Sequence, residues 1–195
     1  MKVLIACEYS GIVREAFKVK GHNSWSCDIL PTDKPGQHIQ DNVLNILDQN
    51  WDLMIAHPPC TYLCNSGVSW LHKQPERWQL MEEGSLFFKI LLESTIPKIC
   101  IENPIQHKYA KEIIQQKYSQ IIQPWMFGDA ESKATCLWLK NLSPLVETNN
   151  VKDKMLELPI NQRQRLHYLP PSKDRWKIRS RTFEGIANAM AGQWG

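Results

Sequence analysis

Residues 52–67 read DLMIAHPPCTYLCNSG. The apolar run at 52–57 has the length of a buried strand. It stops at His57-Pro58-Pro59-Cys60. Neither proline has an N–H to give a sheet ladder, so the backbone must leave the sheet just before a cysteine. A stiff turn therefore holds a thiol at the tip of a buried strand.

The flanking segments repeat this strand logic. KVLIACE (2–8) is a first short apolar run. It is followed by YSGIVREAFKVKG, in which Ile12, Val13, Ala16, Phe17 and Val19 recur at helical spacing until Gly21. NSWSCDIL gives a second strand reaching Asp28, and PTDKPGQ a loop. QPERWQLMEEGSLFFKILLES reads as a helix, KICIEN (98–103) as a strand, KYAKEIIQQKY as a helix, and QIIQPWMF and KATCLWLK as strands. RTFEGIANAMAGQWG reads as a closing helix. Strands alternating with helices predict an α/β fold, a doubly wound and mostly parallel sheet covered on both faces. In such sheets ligands bind beyond the carboxyl ends of the strands. Four strand ends fall there: Glu8 to Gly11, Asp28, His57 to Cys60, and Glu102 to Pro104.

With 195 residues, 43% hydrophobic and 22% charged, the chain is expected to form one domain with an ordinary core. No apolar run approaches the ~20 residues of a membrane span. The opening MKVLIACEYSG reads as a strand rather than a signal peptide, so a cytoplasmic location is expected. Six scattered cysteines argue for reduced thiols. No second Cys/His pair follows Cys60 and Cys64 at ligand spacing, so no metal site is expected. Net charge is +3, yet residues 152–181 hold nine Lys/Arg against three acids. That segment suggests a polyanion partner, with a solvated basic face as the bland alternative.

A thiolate and a carboxylic acid at neighbouring strand ends fit one chemistry in particular. The sulfur adds to carbon 6 of a pyrimidine, the acid serves ring nitrogen 3, and carbon 5 becomes nucleophilic enough to take a methyl group. Against this stand a Cys that only packs and a Glu that only caps a turn.

These residues carry a resemblance. The chain resembles the DNA cytosine carbon-5 methyltransferases over nearly its whole length, most closely the short phage and prophage methyltransferase-like proteins. HPPC resembles the Pro-Cys motif, implying Cys60 as nucleophile, and IENP the Glu-Asn-Val motif, implying Glu102 as the base-activating acid. ACEYSGIVREAFKVKG resembles the first S-adenosylmethionine motif, with Glu8, Tyr9, Ser10 and Gly11 as its loop. Asp28 resembles the acid on the cofactor ribose, and FEGIANAMAGQWG the closing motif. The resemblance thus implies a Rossmann-like methyltransferase fold, S-adenosylmethionine as cofactor, and DNA of either strandedness or a free nucleotide as substrate, in a bacterial host cell. Pro58 joins the implied cofactor contacts. Ser66 and Asn103 join the implied base contacts.

The chain also departs from the family. The first motif holds one glycine, Gly11. Asp41 or Asn42 stands where an adenine-binding Asp is expected, with Asn42 in register. The Arg-rich strand is absent, leaving Lys133 and Thr135 as its polar candidates. In place of a separate target-recognition domain there is a basic, irregular insertion at about 148–178. Within that insertion Trp176 suits stacking on a base, and just after it Arg179 and Arg181 suit phosphates. Pairing of both arginines with the final helix is the structural alternative. Trp70 reads equally as a covering residue or as core. A homo-oligomer is left open. A non-catalytic protein holding a nucleotide or signalling ligand in the same crevice is the competing expectation.

Overall fold

The computed structural model describes residues 1–195. The strands are β1 (Lys2–Ala6), β2 (Asn23–Asp28), β3 (His38–Gln40), β4 (Leu53–Ala56), β5 (Lys98–Asn103), β6 (Gln120–Ile122) and β7 (Thr135–Lys140). They form one seven-stranded sheet in the order β3-β2-β1-β4-β5-β7-β6. β7 is antiparallel to both its neighbours, and every other pair is parallel. β4 is buried along its whole length, as a strand covered on both faces must be.

Alternation along the strands splits the core in two. Leu4, Ala6, Met54, Ala56, Ile99 and Ile101 face α3 (Arg77–Glu93) and α4 (Lys108–Ile114). Val3, Ile5, Leu53, Ile55 and Cys100 face α1 (Ile12–Val19) and α9 (Glu184–Trp194). Small residues on α9, among them Ala187 and Ala191, are buried and let α1 pack closely against it. The short α2 (Val68–Leu71) follows the Cys60 turn. No helix is long and apolar enough to cross a membrane.

The chain leaves β1 for β2 on one side and returns to β4 on the other. The sheet order therefore reverses beside β1, and the crevice opens between the carboxyl ends of β1 and β4. Register completes the alignment. Ala6 pairs with Ala56, and Ala56 with Ile101. The residues just beyond, Cys7, His57 and Glu102, therefore form a row across three strands.

Several elements differ from the sequence expectation. β3 is an unexpected edge strand, too short to show a period. α4 ends at Ile114, where Gln115 turns left-handed (φ 57°) and the Trp138 indole N–H draws the Gln116 carbonyl back to the sheet at 2.9 Å. β6 stops at Ile122, because Pro124 opens a 3-10 turn. The basic segment carries four short helices: α5 (Lys152–Glu157), α6 (Ile160–Arg163), α7 (Arg165–Tyr168) and α8 (Arg175–Ser180).

Candidate active site

The Pro-Pro turn is held by a side chain where the ladder fails. The Pro58 carbonyl accepts from the Asn103 amide at 2.9 Å. The Cys60 carbonyl accepts from the N–H groups of Leu63 (3.0 Å) and Cys64 (3.1 Å), closing one helical turn. That turn places Cys60 and Cys64 on the same side, four residues apart, near enough for each thiol to shift the other's acidity.

Four more titratable groups converge here. His57 Nδ1 lies 2.7 Å from Glu102 Oε2, with 11% and 13% of the side chains exposed. Burial alone would lower the His57 pKa, but the Glu102 hydrogen bond and charge outweigh it and raise the value. Burial would raise the Glu102 pKa, but the His57 hydrogen bond and charge, with Lys133 nearby, bring it below the usual carboxylate range. The contact thus favours the imidazolium and carboxylate forms of the pair. His57 Nε2 is buried without a partner. Lys133 arrives because Cys136 pairs with Asn103, which starts β7 beside the end of β5. Glu8 completes the cluster from the end of β1.

The two thiols shift in opposite directions. The Cys64 contact, then burial, pushes the Cys60 thiol upward. Cys64 moves downward, because Cys60, the Ser66 hydroxyl at 3.1 Å and the Gly67 N–H all donate to its sulfur. Cys64 is therefore the more acidic of the two thiols and Cys60 the less. Iodoacetamide at pH 6 should accordingly label Cys64 roughly tenfold faster than Cys60. Peptide mapping that found Cys60 labelled first would reverse this assignment.

On the cofactor side the implied residues mostly build the loop. Glu8 is buried, and its carboxylate accepts from the N–H groups of Val13 (2.8 Å) and Arg14 (3.2 Å) and from the Ser10 hydroxyl (3.0 Å). It thus caps α1 in place of an ordinary N-cap. Gly11 has φ +71°, and a Cβ there would come within 2.6 Å of the Arg14 guanidinium. Just before the loop, Cys7 takes a left-handed φ of 58°, an unusual conformation for a residue with a Cβ. The Tyr9 hydroxyl donates to the Lys177 carbonyl at 2.8 Å, and the Tyr9 ring lies 5.8 Å from that of Trp176. α8 therefore folds over the loop. Asp28 Oδ1 accepts from the Leu30 N–H at 3.0 Å, and the Ile29 N–H also bears on the carboxylate, whose pKa burial raises. Asn42 Oδ1 caps the Leu44 N–H at 3.1 Å, whereas Asp41 keeps Oδ2 free. Of those two, Asp41 is the better placed to accept.

The implied base contacts divide. Ser66 is exposed and sits on the Cys64 sulfur. Lys133 donates from Nζ to the Arg179 carbonyl at 3.2 Å. Three assignments need correction. Asn103 is 1% exposed and Thr135 2%, so neither presents its side chain to a ligand from the surface. Asn103 holds the turn, and Thr135 donates to the Lys133 carbonyl. Pro58 is buried with its carbonyl already engaged by Asn103, which leaves it no polar group for a cofactor. Arg181 pairs with Asp33 at 2.8 Å, in the loop after β2 and not on the final helix. Arg179 is exposed. Trp70 is 47% exposed, which removes its core reading.

Sequence reading missed His57 and Cys64 as members of the site. The signals were present: His57 is the last residue before the Pro-Pro turn, and Cys64 lies one helical turn beyond Cys60.

No protein family matches the sequence, and no curated protein does either. Among solved structures, the chain is similar to a protein described as a DNA modification methyltransferase encoded within an E. coli prophage. The identity is 17%, over 82% of this chain and 55% of that one, with a TM-score of 0.46. It is also similar to the Entamoeba histolytica methyltransferase EhMeth, at 17% identity over 77% of this chain and 57% of that one, with a TM-score of 0.47. The chain spans little more than half the length of either.

Proposed function

We propose that this protein transfers a methyl group from S-adenosylmethionine to carbon 5 of cytosine in DNA. The observation that carries the reading is Cys60 on the turn after β4, within the electrostatic reach of Glu102 at the end of β5, where the sheet order reverses. The Cys60 sulfur adds to carbon 6 while its proton passes to the Cys64 thiolate. Glu102 serves ring nitrogen 3, so electron density reaches carbon 5. After methylation the carbon 5 proton leaves, the S–C6 bond breaks, and the thiol is restored.

S-adenosylmethionine supplies an electrophilic methyl group on sulfur. The chain has groups that fit it: the Asp28 carboxylate at the end of β2 suits a ribose hydroxyl, and the free Asp41 oxygen an adenine amino group. The turn at Gly11 carries the loop past the crevice. The exposed basic segment supports a DNA substrate, although Arg165 is bound to Glu131 and Arg181 to Asp33. The free charge is therefore smaller than the sequence count, and with only about thirty residues in place of a recognition domain the enzyme is of low sequence specificity or depends on a partner.

A second reading, a non-catalytic binder of a nucleotide or signalling ligand, is favoured by the packing of α8 over Tyr9. Calorimetric titration with S-adenosylmethionine and S-adenosylhomocysteine separates the two. Roughly micromolar binding of both, followed by labelled-methyl transfer to DNA that weakens steeply with salt, is the expected result. A folded protein that binds neither compound would overturn methyl transfer in favour of the binder.

A further inference from the structure

We infer that His57 and Glu102 work as one proton-holding pair. His57 is a positioning residue that supplies, through Glu102, the proton a pyrimidine nitrogen takes up when Cys60 adds to the ring. The proton's destination rests on the function proposed above, whereas the pair itself does not.

The geometry argues for a built device. His57 and Glu102 follow Ala56 and Ile101, which are register partners on adjacent parallel strands, so the two side chains leave the same face side by side. The His57 backbone N–H is fixed to the Ala6 carbonyl at 2.9 Å, which leaves its ring little choice of position. Nδ1 then reaches Glu102 Oε2 at 2.7 Å, a charge-assisted distance. Nε2 is buried and unpartnered, so no other group of the chain competes for the imidazole. The charged groups facing it come from three directions: Glu102 on β5, Glu8 beyond β1 and Lys133 before β7. Cys60 lies in the same field as Glu102 and Lys133. Two carboxylates against one ammonium leave room for one further positive charge, and the imidazolium fills it.

The pair resolves a conflict in the chemistry. An acid that serves a ring nitrogen must deliver a proton, yet Glu102 is held as a carboxylate. As the S–C6 bond forms, the displaced electron pair reaches nitrogen 3. That nitrogen takes a proton from Glu102, which takes one from His57 Nδ1, leaving a neutral imidazole. When the S–C6 bond breaks, the proton returns along the same path. The hydrogen lost from carbon 5 goes to solvent, so the methyl group gained is balanced by one proton released.

The test has two arms. Histidine-selective NMR of the full chain should find the His57 ring cationic above pH 7, and neutral there in Glu102→Gln. A His57 signal that is neutral at pH 7, or unchanged by Glu102→Gln, overturns the pair. In the second arm, His57→Asn keeps an N–H for Glu102 but carries no titratable proton. It should bind oligonucleotide as the parent does, with kcat lower by roughly a hundredfold. The parent's alkaline fall in kcat, which comes as rising pH strips the imidazolium, should disappear. A His57→Asn protein with parental kcat and pH profile overturns the role. A parent showing the paired imidazolium but no transfer supports the pair and overturns methyl transfer.

Discussion

Cys60→Ser should abolish methyl transfer, lowering kcat by roughly a thousandfold or more while leaving cofactor affinity within about twofold. The expectation follows from where the sulfur sits and what the rest of its residue does. The Cys60 carbonyl, which the substitution keeps, closes the turn onto Leu63 and Cys64. The loop should therefore hold its shape. What is lost is chemical. Even with its acidity reduced, the Cys60 thiol is a stronger acid than a serine hydroxyl, so a Cys64 thiolate that can draw the proton from sulfur leaves it on oxygen. In the proposed reading cofactor affinity comes from Asp28 and Asp41, on and after β2, away from the Cys60 turn. Measured by labelled-methyl transfer and calorimetry on the same preparation, persisting transfer in Cys60→Ser would sink the adduct mechanism. Lost cofactor binding would mean instead that the turn had collapsed.

How much of this was legible in the sequence depended on the range of the interaction. The strands β1, β4 and β5 were readable because continuous apolar runs mark strands covered on both faces. The Pro-Pro turn was readable because proline removes donors locally. The three-residue β3 was not, since its place comes from pairing with β2 and not from any pattern of its own. Cys60 and Glu102 could be singled out as residue types at strand ends. The His57–Glu102 contact could not, because it depends on parallel register between strands about forty residues apart. Asn103 and Thr135 misled for the same reason: a polar side chain near a strand end reads as a contact until burial shows it bonded to backbone. The basic segment was visible as charge. Its internal pairings, such as Arg165 with Glu131, were not, because they form between segments distant in the chain.

Arg14→Leu should cost about 3 kcal/mol of stability, a fall of roughly 10 °C in melting temperature. Arg14 is fully buried. Its guanidinium donates to Ser26 (2.9 Å), Thr32 (3.2 Å), the Lys34 carbonyl (2.8 Å), the Pro35 carbonyl (3.2 Å) and Glu15 (3.0 Å). One side chain on α1 thus ties down the whole loop after β2. Gly11 and Gly36 make room for it: a Cβ at either position would come within 2.7 Å of the guanidinium. Leucine fills much of the volume but satisfies none of the acceptors, and two of them are backbone carbonyls that otherwise hold the loop's path. The loop begins just after Asp28 and includes Asp33, the partner of Arg181. Loosening it should therefore weaken S-adenosylmethionine binding as well as the fold. Arg14→Lys should recover little, because a single ammonium does not span acceptors arranged for a planar fork. Calorimetric melting beside the parent decides the matter. A melting temperature within about 2 °C of the parent would mean that water replaces the guanidinium at those carbonyls and that the crevice wall is held by β2 and β3 alone.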